Sequence, residues 1–244
     1  MRGECPRHVL LTGGSGRLGR ELSQYLEMTT PPRSELDLTK SNTVVRTLEQ
    51  YKPDLVVHAA AYTDVLGAER DPHACWSTNV AGTRSLVSEL VTRKIPLVYI
   101  STDYVFYGDR GYYVENDQPG PVRNHYSLSK LVAEEIVRVH KNSLVIRTSF
   151  RPRQWPHPVA FDDMYTSQDY VDIIGPEIAL AIQHSSSIPF DTLHIATERK
   201  SVFELAQRRK PDVERGSRTS ASVDLPEDIS LDTSRWKALR EKLI

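Results

Sequence analysis

The chain has 244 residues, of which 31 are basic and 32 acidic, and a formal net charge of -1. This length allows one sizeable core, or a nucleotide-binding domain with a small second lobe. The balanced charge gives no broad attraction for nucleic acid or an anionic membrane, so we expect neither partner. Any anionic ligand must be bound locally.

The N-terminal residues and the cysteines indicate a cytoplasmic protein. Residues 1–6 lack the charged and then apolar pattern of a signal peptide, and no apolar run approaches the roughly 20 residues that span a bilayer. The cysteines are Cys5 and Cys75. Neither they nor the histidines have metal-ligand spacing, so we expect free thiols, no disulfide and no metal site.

Short apolar runs alternate with segments of helical period through residue 150. The runs predict strands over 8–12, 54–58, 97–101 and 144–147, and the segments predict helices over 17–27, 43–51, 72–93 and 126–140. A strand within residues 28–37 is expected to be very short or irregular, because Pro31 and Pro32 interrupt it. The alternation predicts a Rossmann-type α/β fold, a doubly wound parallel sheet with helices on both faces.

The alternation ends after Phe150, where three prolines within residues 151–158 predict a loop. Beyond it we predict a helix over 167–183, a strand over 191–195, a helix over 201–209 with a capping box of Ser201 and Glu204, and a last helix over 232–243. Residues 210–230 are predicted to be a surface connection. We therefore divide the chain into a dinucleotide-binding domain, residues 1–150, and a small substrate-binding lobe, residues 151–244, that partly returns to the sheet.

Residues 13–19 read GGSGRLG and lie between the first predicted strand and helix. Glycines there let the chain turn tightly, let the backbone approach a pyrophosphate, and let the helix pack closely on the strand, while the helix N-terminus offers free N–H donors. The segment predicts a dinucleotide site with contacts from Gly13, Ser15, Gly16, Arg17 and Leu18. The alternative is a glycine turn without a ligand.

The residue that selects the nicotinamide cofactor is expected about 20 positions after the first glycine. Arg33 and Ser34 lie there, and with Arg17 they supply two guanidinium groups and a hydroxyl suited to the 2′-phosphate of NADPH. Glu35 lies close enough that NADH stays an alternative cofactor. Both arginines would also be compatible with ordinary solvated surface positions.

Tyr126 and Lys130 share one face of a predicted helix, because they are four residues apart. Reduction of a ketone needs a hydride donor, a proton donor and a group that polarises the oxygen. Tyr126 would donate the proton, the Lys130 ammonium would lower the pKa of Tyr126 from about 10, and Thr102, at the end of a predicted strand, would bind the substrate oxygen. The alternative is a buried tyrosine beside a helix-surface lysine.

Seven segments, in order, carry a family resemblance: TGGSGRLG at 12–19, LDL at 36–38, HAAAYTD at 58–64, NVAGT at 79–83, STDYVF at 101–106, YSLSK at 126–130 and RTS at 147–149. Together they resemble the dTDP-4-dehydrorhamnose reductases, a branch of the extended short-chain dehydrogenases/reductases. The resemblance implies that Thr102, Tyr126 and Lys130 are the catalytic set and that Tyr104 faces the sugar. It also implies that Asn79 supports the proton relay and that the cofactor is contacted by Asp37, Leu38, Ala60, Ala61, Thr63, Asn79, Tyr126 and Lys130.

The resemblance weakens after residue 149, where Phe150 and Arg151 replace an aromatic pair and the lobe is short and divergent. A nucleotide sugar needs cations for its diphosphate, and the candidates are Arg151, Arg153, Arg199 and Lys200, each equally compatible with ordinary surface charge. We expect Tyr104, Phe150, Arg151 and Arg153 to contact the substrate.

The resemblance implies NADPH-dependent reduction of the 4-keto group of a nucleotide-linked 6-deoxyhexose, in dTDP-rhamnose or related carbohydrate biosynthesis. Two alternatives stay open: reduction of another ketone in secondary metabolism, and a non-catalytic NADP-binding regulatory subunit. A homodimer is compatible with either.

Overall fold

A computed structural model describes residues 8–221 and 223–243; the expectations for residues 1–6, including Cys5, lie outside this part. The strands are β1 (Val9–Thr12), β2 (Leu55–His58), β3 (Leu97–Thr102), β4 (Ser143–Thr148), β5 (Phe150–Arg151), β6 (Val159–Phe161), β7 (Tyr165–Thr166), β8 (Asp169–Tyr170), β9 (Thr192–His194), β10 (Lys200–Ser201) and β11 (Glu214–Gly216). The helices are α1 (Arg17–Leu22), α2 (Ser41–Tyr51), α3 (Val65–Arg70), α4 (Pro72–Trp76), α5 (Thr83–Arg93), α6 (His125–Arg138), α7 (Val171–Gln183), α8 (Val202–Gln207) and α9 (Ser234–Leu243).

A parallel sheet of five strands, in the order β1-β2-β3-β4-β9, runs through the molecule. Every residue of β1, β2 and β3 is buried, as expected for a parallel sheet covered on both faces. Beyond β1 the strand expected in residues 28–37 is reduced to one bridge, in which Thr29 pairs with Leu10. The predicted Rossmann-type α/β fold is confirmed.

Alternate residues of the strands enter two separate cores. On one face, residues such as Leu11 and Val57 pack with α1, α7 and Trp236 of α9. On the other face, residues such as Leu10 and Val56 pack with α2, α5 and α6. The side chains of a strand alternate between faces, so one sheet supports both helical layers.

Two predicted helices differ from the structure, one in its interior and one at its end. The helix expected over 72–93 consists of α4, a π-helical turn Ser77–Gly82 and α5. The helix expected over 17–27 is shorter, because α1 ends at Leu22. Helix α3 was not predicted; the Asp64 side chain caps it by accepting a bond from the Gly67 N–H.

Several expectations for the C-terminal third need correction. Residues 169–170 form β8, paired with β5, so the helix expected from 167 begins at Val171. Residues 210–230 are not only a surface connection, because β11 pairs with β6 and both Ile229 and Ser230 are buried. The capping box of Ser201 and Glu204 is confirmed, with bonds of 3.0 and 2.7 Å.

We use C-terminal lobe for β5 to β8, β10, α8 and β11. Its short strands form three two-stranded sheets, and its own core holds Trp155, Met164, Tyr170, Phe203 and Val213. In contrast, α7, β9 and α9 lie against the main sheet.

Helix α6 is tied to the sheet by a buried ion pair. Arg147 of β4 donates from Nη2 to Glu134 Oε2 at 2.9 Å, and both side chains are 0% exposed. Ser101 of β3 donates to the other Glu134 oxygen, and the guanidinium carbon of Arg147 lies 4.9 Å from the Phe106 ring centre. One cluster therefore joins α6, β3 and β4.

We expect Arg147→Met to lower the free energy of unfolding by about 3–5 kcal/mol, because Glu134 would lose its buried counter-charge and keep only the partly exposed Arg138, 3.6 Å away. Urea unfolding at pH 7 measures the loss. The control is Arg215→Met, which breaks a pair with Asp162 in which the side chains are 65% and 37% exposed; it should cost less than about 1 kcal/mol. Equal losses in the two variants would contradict the assignment.

Candidate active site

A cleft of about 830 Å³ opens at the carboxyl ends of β1 to β4. This edge is where ligands bind in open α/β sheets. Predicted residues that line the cleft are Gly13, Ser15, Gly16, Arg17, Leu18, Arg33, Asp37, Leu38, Ala60, Ala61, Thr63, Thr102, Tyr104, Tyr126, Lys130, Phe150 and Arg151. Ser34, Asn79 and Arg153 are absent from the described lining, as is Glu35.

The glycine turn after β1 leaves its backbone bare at the cleft. Gly13 has a φ of +79°, and a Cβ there would lie 2.7 Å from the Ala60 nitrogen. A Cβ on Gly19 would lie 2.5 Å from the Gly13 oxygen. Because neither position accommodates a side chain, the turn can approach β2 and present its main chain to a ligand, as a dinucleotide site requires.

His58, at the end of β2, holds this turn and the following loop together. Its Nδ1 lies 2.7 Å from the Thr12 hydroxyl, and its Nε2 lies 3.0 Å from that of Thr83. The Thr12 hydroxyl also accepts a bond from the Ala60 N–H at 3.2 Å. Burial lowers the pKa of His58 to about 3, so the ring is neutral and serves as a fixed link. Sequence reasoning gave His58 no role.

Asn79, in the π-helical turn, holds the loop after β2 from the other side. Its Oδ1 accepts from the Tyr62 N–H at 2.7 Å, and its Nδ2 donates to the Tyr62 oxygen at 3.0 Å and to the Ser129 hydroxyl at 2.8 Å. Asn79 therefore positions the wall of the cleft and links it to α6. None of these bonds reaches Lys130.

The structure brings the three predicted catalytic side chains together. Thr102 ends β3, and Tyr126 and Lys130 lie on successive turns of α6, which begins at an Asn124 cap. The hydroxyl of Thr102 interacts with that of Tyr126 and lowers the pKa of Tyr126. Lys130 Nζ donates to the Ile100 oxygen at 2.9 Å and lies 4.2 Å from the Tyr99 ring centre.

Burial controls the ionisation of this group. It lowers the pKa of Lys130 to about 7, against the opposite effect of the Glu134 carboxylate. It also raises the pKa of Tyr126 above its ordinary value, although the bond with Thr102 lowers it in part. We expected Lys130 to lower the pKa of Tyr126; in this structure the largest effects on Tyr126 come from burial, Thr102, Asp103, Tyr104 and Cys75 instead.

Asp103 is a cleft residue that sequence reasoning missed. It is 1% exposed, and its Oδ1 accepts a bond from the Thr102 hydroxyl at 3.0 Å. Burial raises the pKa of Asp103 to about 7. The signal in the sequence was its position at the carboxyl end of a buried strand, directly after Thr102. Tyr104 follows, with its ring edge-on to that of Tyr126 at 6.3 Å between centres.

The four candidate cations for a substrate diphosphate lie in different surroundings. Arg151 lines the cleft, and its Nε is buried without a hydrogen-bond partner. Arg153 is 52% exposed, lies outside the described lining and pairs with Glu21 at 2.8 Å. Arg199 pairs with Asp228 at 2.6 Å, and Lys200 lies 3.6 Å from Asp169. Arg151 is therefore the candidate that faces a ligand.

Across residues 8–221 and 223–243, no group of three or more histidine, cysteine or carboxylate side chains could hold a metal ion. In the same ranges no helix is long and apolar enough to cross a bilayer. Cys75 is a buried free thiol, 3.3 Å from the Ser129 hydroxyl.

The N-terminal part of the chain matches known proteins in sequence. Residues 7–151 match the family described as RmlD substrate binding domain. Over 121 residues the chain is 40% identical to the probable low-salt glycan biosynthesis reductase of Haloferax volcanii, a match that covers 49% of this chain and 40% of that relative. Over 150 residues it is 34% identical to the dTDP-4-dehydrorhamnose reductase of Aggregatibacter actinomycetemcomitans, covering 58% and 51%. The chain spans about half the length of the curated relatives it matches.

The match in structure extends into the C-terminal lobe. A solved dTDP-4-dehydrorhamnose reductase from Bacillus anthracis, in complex with NADP, has a TM-score of 0.84 and 26% identity to this chain. The superposition covers 97% of this chain and 92% of that one. Sequence similarity thus ends near residue 151, whereas similarity of fold continues.

The lowered pKa of Lys130 predicts a pH dependence of stability. Between pH 7 and 10 the unfolded chain protonates this lysine and the folded chain releases the proton, so the free energy of unfolding rises with pH, by at most about 1.4 kcal/mol per unit. Lys130→Met should remove this contribution, whereas Lys141→Met, at an exposed lysine, should keep it. Chemical unfolding at several pH values measures both, and identical profiles for the two variants would refute the shift.

Proposed function

The chain belongs to the RmlD substrate binding domain family, and on this basis we propose that it is an NADPH-dependent reductase of the 4-keto group of a nucleotide-linked 6-deoxyhexose. The observation that carries the proposal is the grouping of Thr102, Tyr126 and Lys130 in the cleft beside the glycine turn. The names of the relatives support it, since they include two reductases, one of them named a dTDP-4-dehydrorhamnose reductase.

The cleft fits a dinucleotide cofactor, because the lack of side chains at Gly13 and Gly19 lets the turn pack closely on its own backbone while residues 13–19 line the cleft. We assign the pyrophosphate to residues 13–18 and the adenosine to the neighbourhood of Asp37 and Leu38. Arg33, which lines the same end, would bind the 2′-phosphate of NADPH. Bound NADPH would supply the hydride. The NADP complex of the Bacillus anthracis structure supports this choice.

In the proposed reaction a hydride adds to C4 of the sugar, and the hydroxyl of Tyr126 gives its proton to the resulting alkoxide. Thr102 binds the ketone oxygen and orients it toward Tyr126. Lys130, whose pKa burial lowers to about 7, stabilises the tyrosinate that remains until Tyr126 is reprotonated. Asn79 acts on this step through the loop after β2, which its bonds to Tyr62 hold in place.

At the substrate end we propose that Tyr104 and Phe150 contact the sugar and that Arg151 binds an anionic group of the substrate. The Nε of Arg151 is buried without a hydrogen-bond partner among the described residues, and a bound anion would compensate the cost of that unpaired group. Arg153 is better explained by its ion pair with Glu21.

We also propose a domain division, a location and an oligomeric state for the protein. We divide the chain at residue 150, with 151–244 as the substrate-binding part, because the C-terminal lobe has its own core. We also propose a cytoplasmic location and a homodimer; sedimentation velocity tests the homodimer, and a single monomeric species would reject it.

Tyr126→Phe should lower kcat for reduction by about 10² to 10⁴ while NADPH still binds, because the proton donor is lost and the ring remains. The assay follows nicotinamide absorbance with dTDP- or UDP-linked 4-keto-6-deoxyhexoses, and cofactor binding is followed by nicotinamide fluorescence. Tyr112→Phe, at a tyrosine that is 60% exposed, is the matched control. NADPH binding without turnover of any ketone by the unchanged protein would favour the non-catalytic regulatory subunit, and turnover of unrelated ketones alone would favour another reductase.

Arg33→Ala should weaken the binding of NADPH, and Arg151→Gln should separately weaken the binding of the nucleotide sugar. We expect Arg33→Ala to raise the Kd for NADPH by about 10- to 100-fold and to leave that for NADH unchanged, since the lost bonds are to a phosphate. Arg151→Gln should leave both cofactor affinities unchanged and raise KM for the nucleotide sugar by a similar factor. Each variant is the control for the other, and an unchanged preference for NADPH in Arg33→Ala would remove the reason for assigning that cofactor.

A further inference from the structure

A chain of three hydrogen-bonding groups lies at the carboxyl end of β3. The Asp103 carboxyl accepts a bond from the Thr102 hydroxyl at 3.0 Å, and the Thr102 hydroxyl also interacts with the hydroxyl of Tyr126. The Tyr104 N–H also donates to the Thr102 hydroxyl, at 3.2 Å. Asp103 and Thr102 are 1% and 6% exposed, so water competes little for these bonds.

A threonine hydroxyl has one proton to donate and two lone pairs that accept. When Asp103 is ionised, it takes the proton of Thr102. The lone pairs of Thr102 then hold the Tyr104 N–H and the proton of Tyr126. In this arrangement neither Thr102 nor Tyr126 directs a proton to a ketone in the cleft.

When Asp103 is protonated, the hydrogen bond between Asp103 and Thr102 reverses its direction. The acid donates to Thr102, and the Tyr104 N–H occupies the second lone pair. The proton of Thr102 is then free to point into the cleft, and Thr102 can no longer hold the proton of Tyr126. Both hydroxyls become donors to a substrate oxygen.

The groups that face Asp103 come from three elements. Tyr104 follows it on its own segment, Tyr126 faces it from α6, and Arg151 faces it from β5. The Arg151 guanidinium favours the carboxylate, but burial is the larger effect and raises the pKa of Asp103 to about 7. Both protonation states are therefore accessible near neutral pH.

We propose that Asp103 is a positioning residue whose protonation turns the hydroxyls of Thr102 and Tyr126 toward the substrate ketone. The proposal rests on the proposed reductase function, for which Thr102 and Tyr126 are the groups that touch the ketone. It adds a residue that acts on them without contacting the substrate.

The test is the pH profile of kcat for ketone reduction, at saturating NADPH, in the unchanged protein and in Asp103→Asn. In the unchanged protein kcat should fall about tenfold per pH unit above the pKa of Asp103. Asparagine donates from its amide at every pH, so Asp103→Asn should retain kcat within about threefold at pH 6 and exceed the unchanged protein at least tenfold at pH 9. The matched control is Asp109→Asn, at an exposed aspartate that accepts a tyrosine hydroxyl bond outside the described cleft lining; it should keep the original profile.

Two outcomes would overturn the proposal. One is an alkaline fall in kcat that is the same in Asp103→Asn and in the unchanged protein, which would place the titration on another group such as Lys130. The other is a folded Asp103→Asn, by circular dichroism, that binds NADPH normally and is inactive at every pH, which would mean that the carboxylate is the required form.

A second measurement needs no turnover. In the full chain labelled with ¹³C-aspartate, the Asp103 carboxyl signal, assigned by its loss in Asp103→Asn, should titrate between pH 6 and 8. Thr102→Val should raise that midpoint, because the Thr102 bond favours the carboxylate. If no ketone is reduced, the proposed function fails, and the titration alone decides whether Asp103 and Thr102 are coupled. A midpoint below 5, or one that Thr102→Val leaves unchanged, would overturn the inference.

Discussion

The buried ion pair between Glu134 and Arg147 determines where helix α6 lies on the sheet. Tyr126, Lys130 and Glu134 are spaced by four residues, so they follow one face of α6. Glu134 is held by Arg147 of β4 and by Ser101 of β3, one residue before Thr102. A shift of α6 by one turn would break this buried pair and leave Arg147 without its carboxylate partner, at a cost of several kcal/mol. The pair therefore sets the register in which Tyr126 meets Thr102.

Burial strengthens the ion pair between Glu134 and Arg147, and it also changes the pKa values of nearby residues that line the cleft. Lys130 and Asp103 both have a pKa near 7, and the pKa of Tyr126 is raised, so at neutral pH the floor of the cleft holds groups that are neutral or half-ionised. Lys130 and Asp103 can therefore gain or lose a proton at little cost near neutral pH, whereas Tyr126 keeps its proton until a stronger base accepts it. Arg151 stands apart, because it stays charged where it faces the cleft. The part of the cleft around Asp103, Tyr126 and Lys130 thus suits an uncharged ketone, and the part around Arg151 suits an anion.

Features that depend on a few neighbouring residues were predicted from the sequence, and features that depend on distant ones were not. Strands β1 to β4, the glycine turn and the capping box follow from local apolar runs, glycines and one serine–glutamate pair. The pairing of β6 with β11 joins residues 159–161 to 214–216, and strands of this length carry no detectable pattern. Arg151 and Arg153 were indistinguishable for the same reason. Arg153 forms an ion pair with Glu21 of α1 outside the described cleft lining, and Glu21 is too distant in the sequence for this pairing to be predicted.

The end of the sequence match at residue 151 has a physical explanation in the two halves of the cleft. On the dinucleotide side the fit is set by the main chain, and at Gly13 and Gly19 a single added carbon would meet backbone within 3 Å, so few residues are tolerated. On the other side the lining comes from the separate residues Met164, Thr166, Gln168 and Ile229, through side chains that can vary while the fold is kept. A relative can therefore share this fold over 97% of the chain with 26% identity. If the chain is the proposed reductase, we expect selection among substrates to lie in these four positions together with Tyr104, Phe150 and Arg151, which line the same part of the cleft.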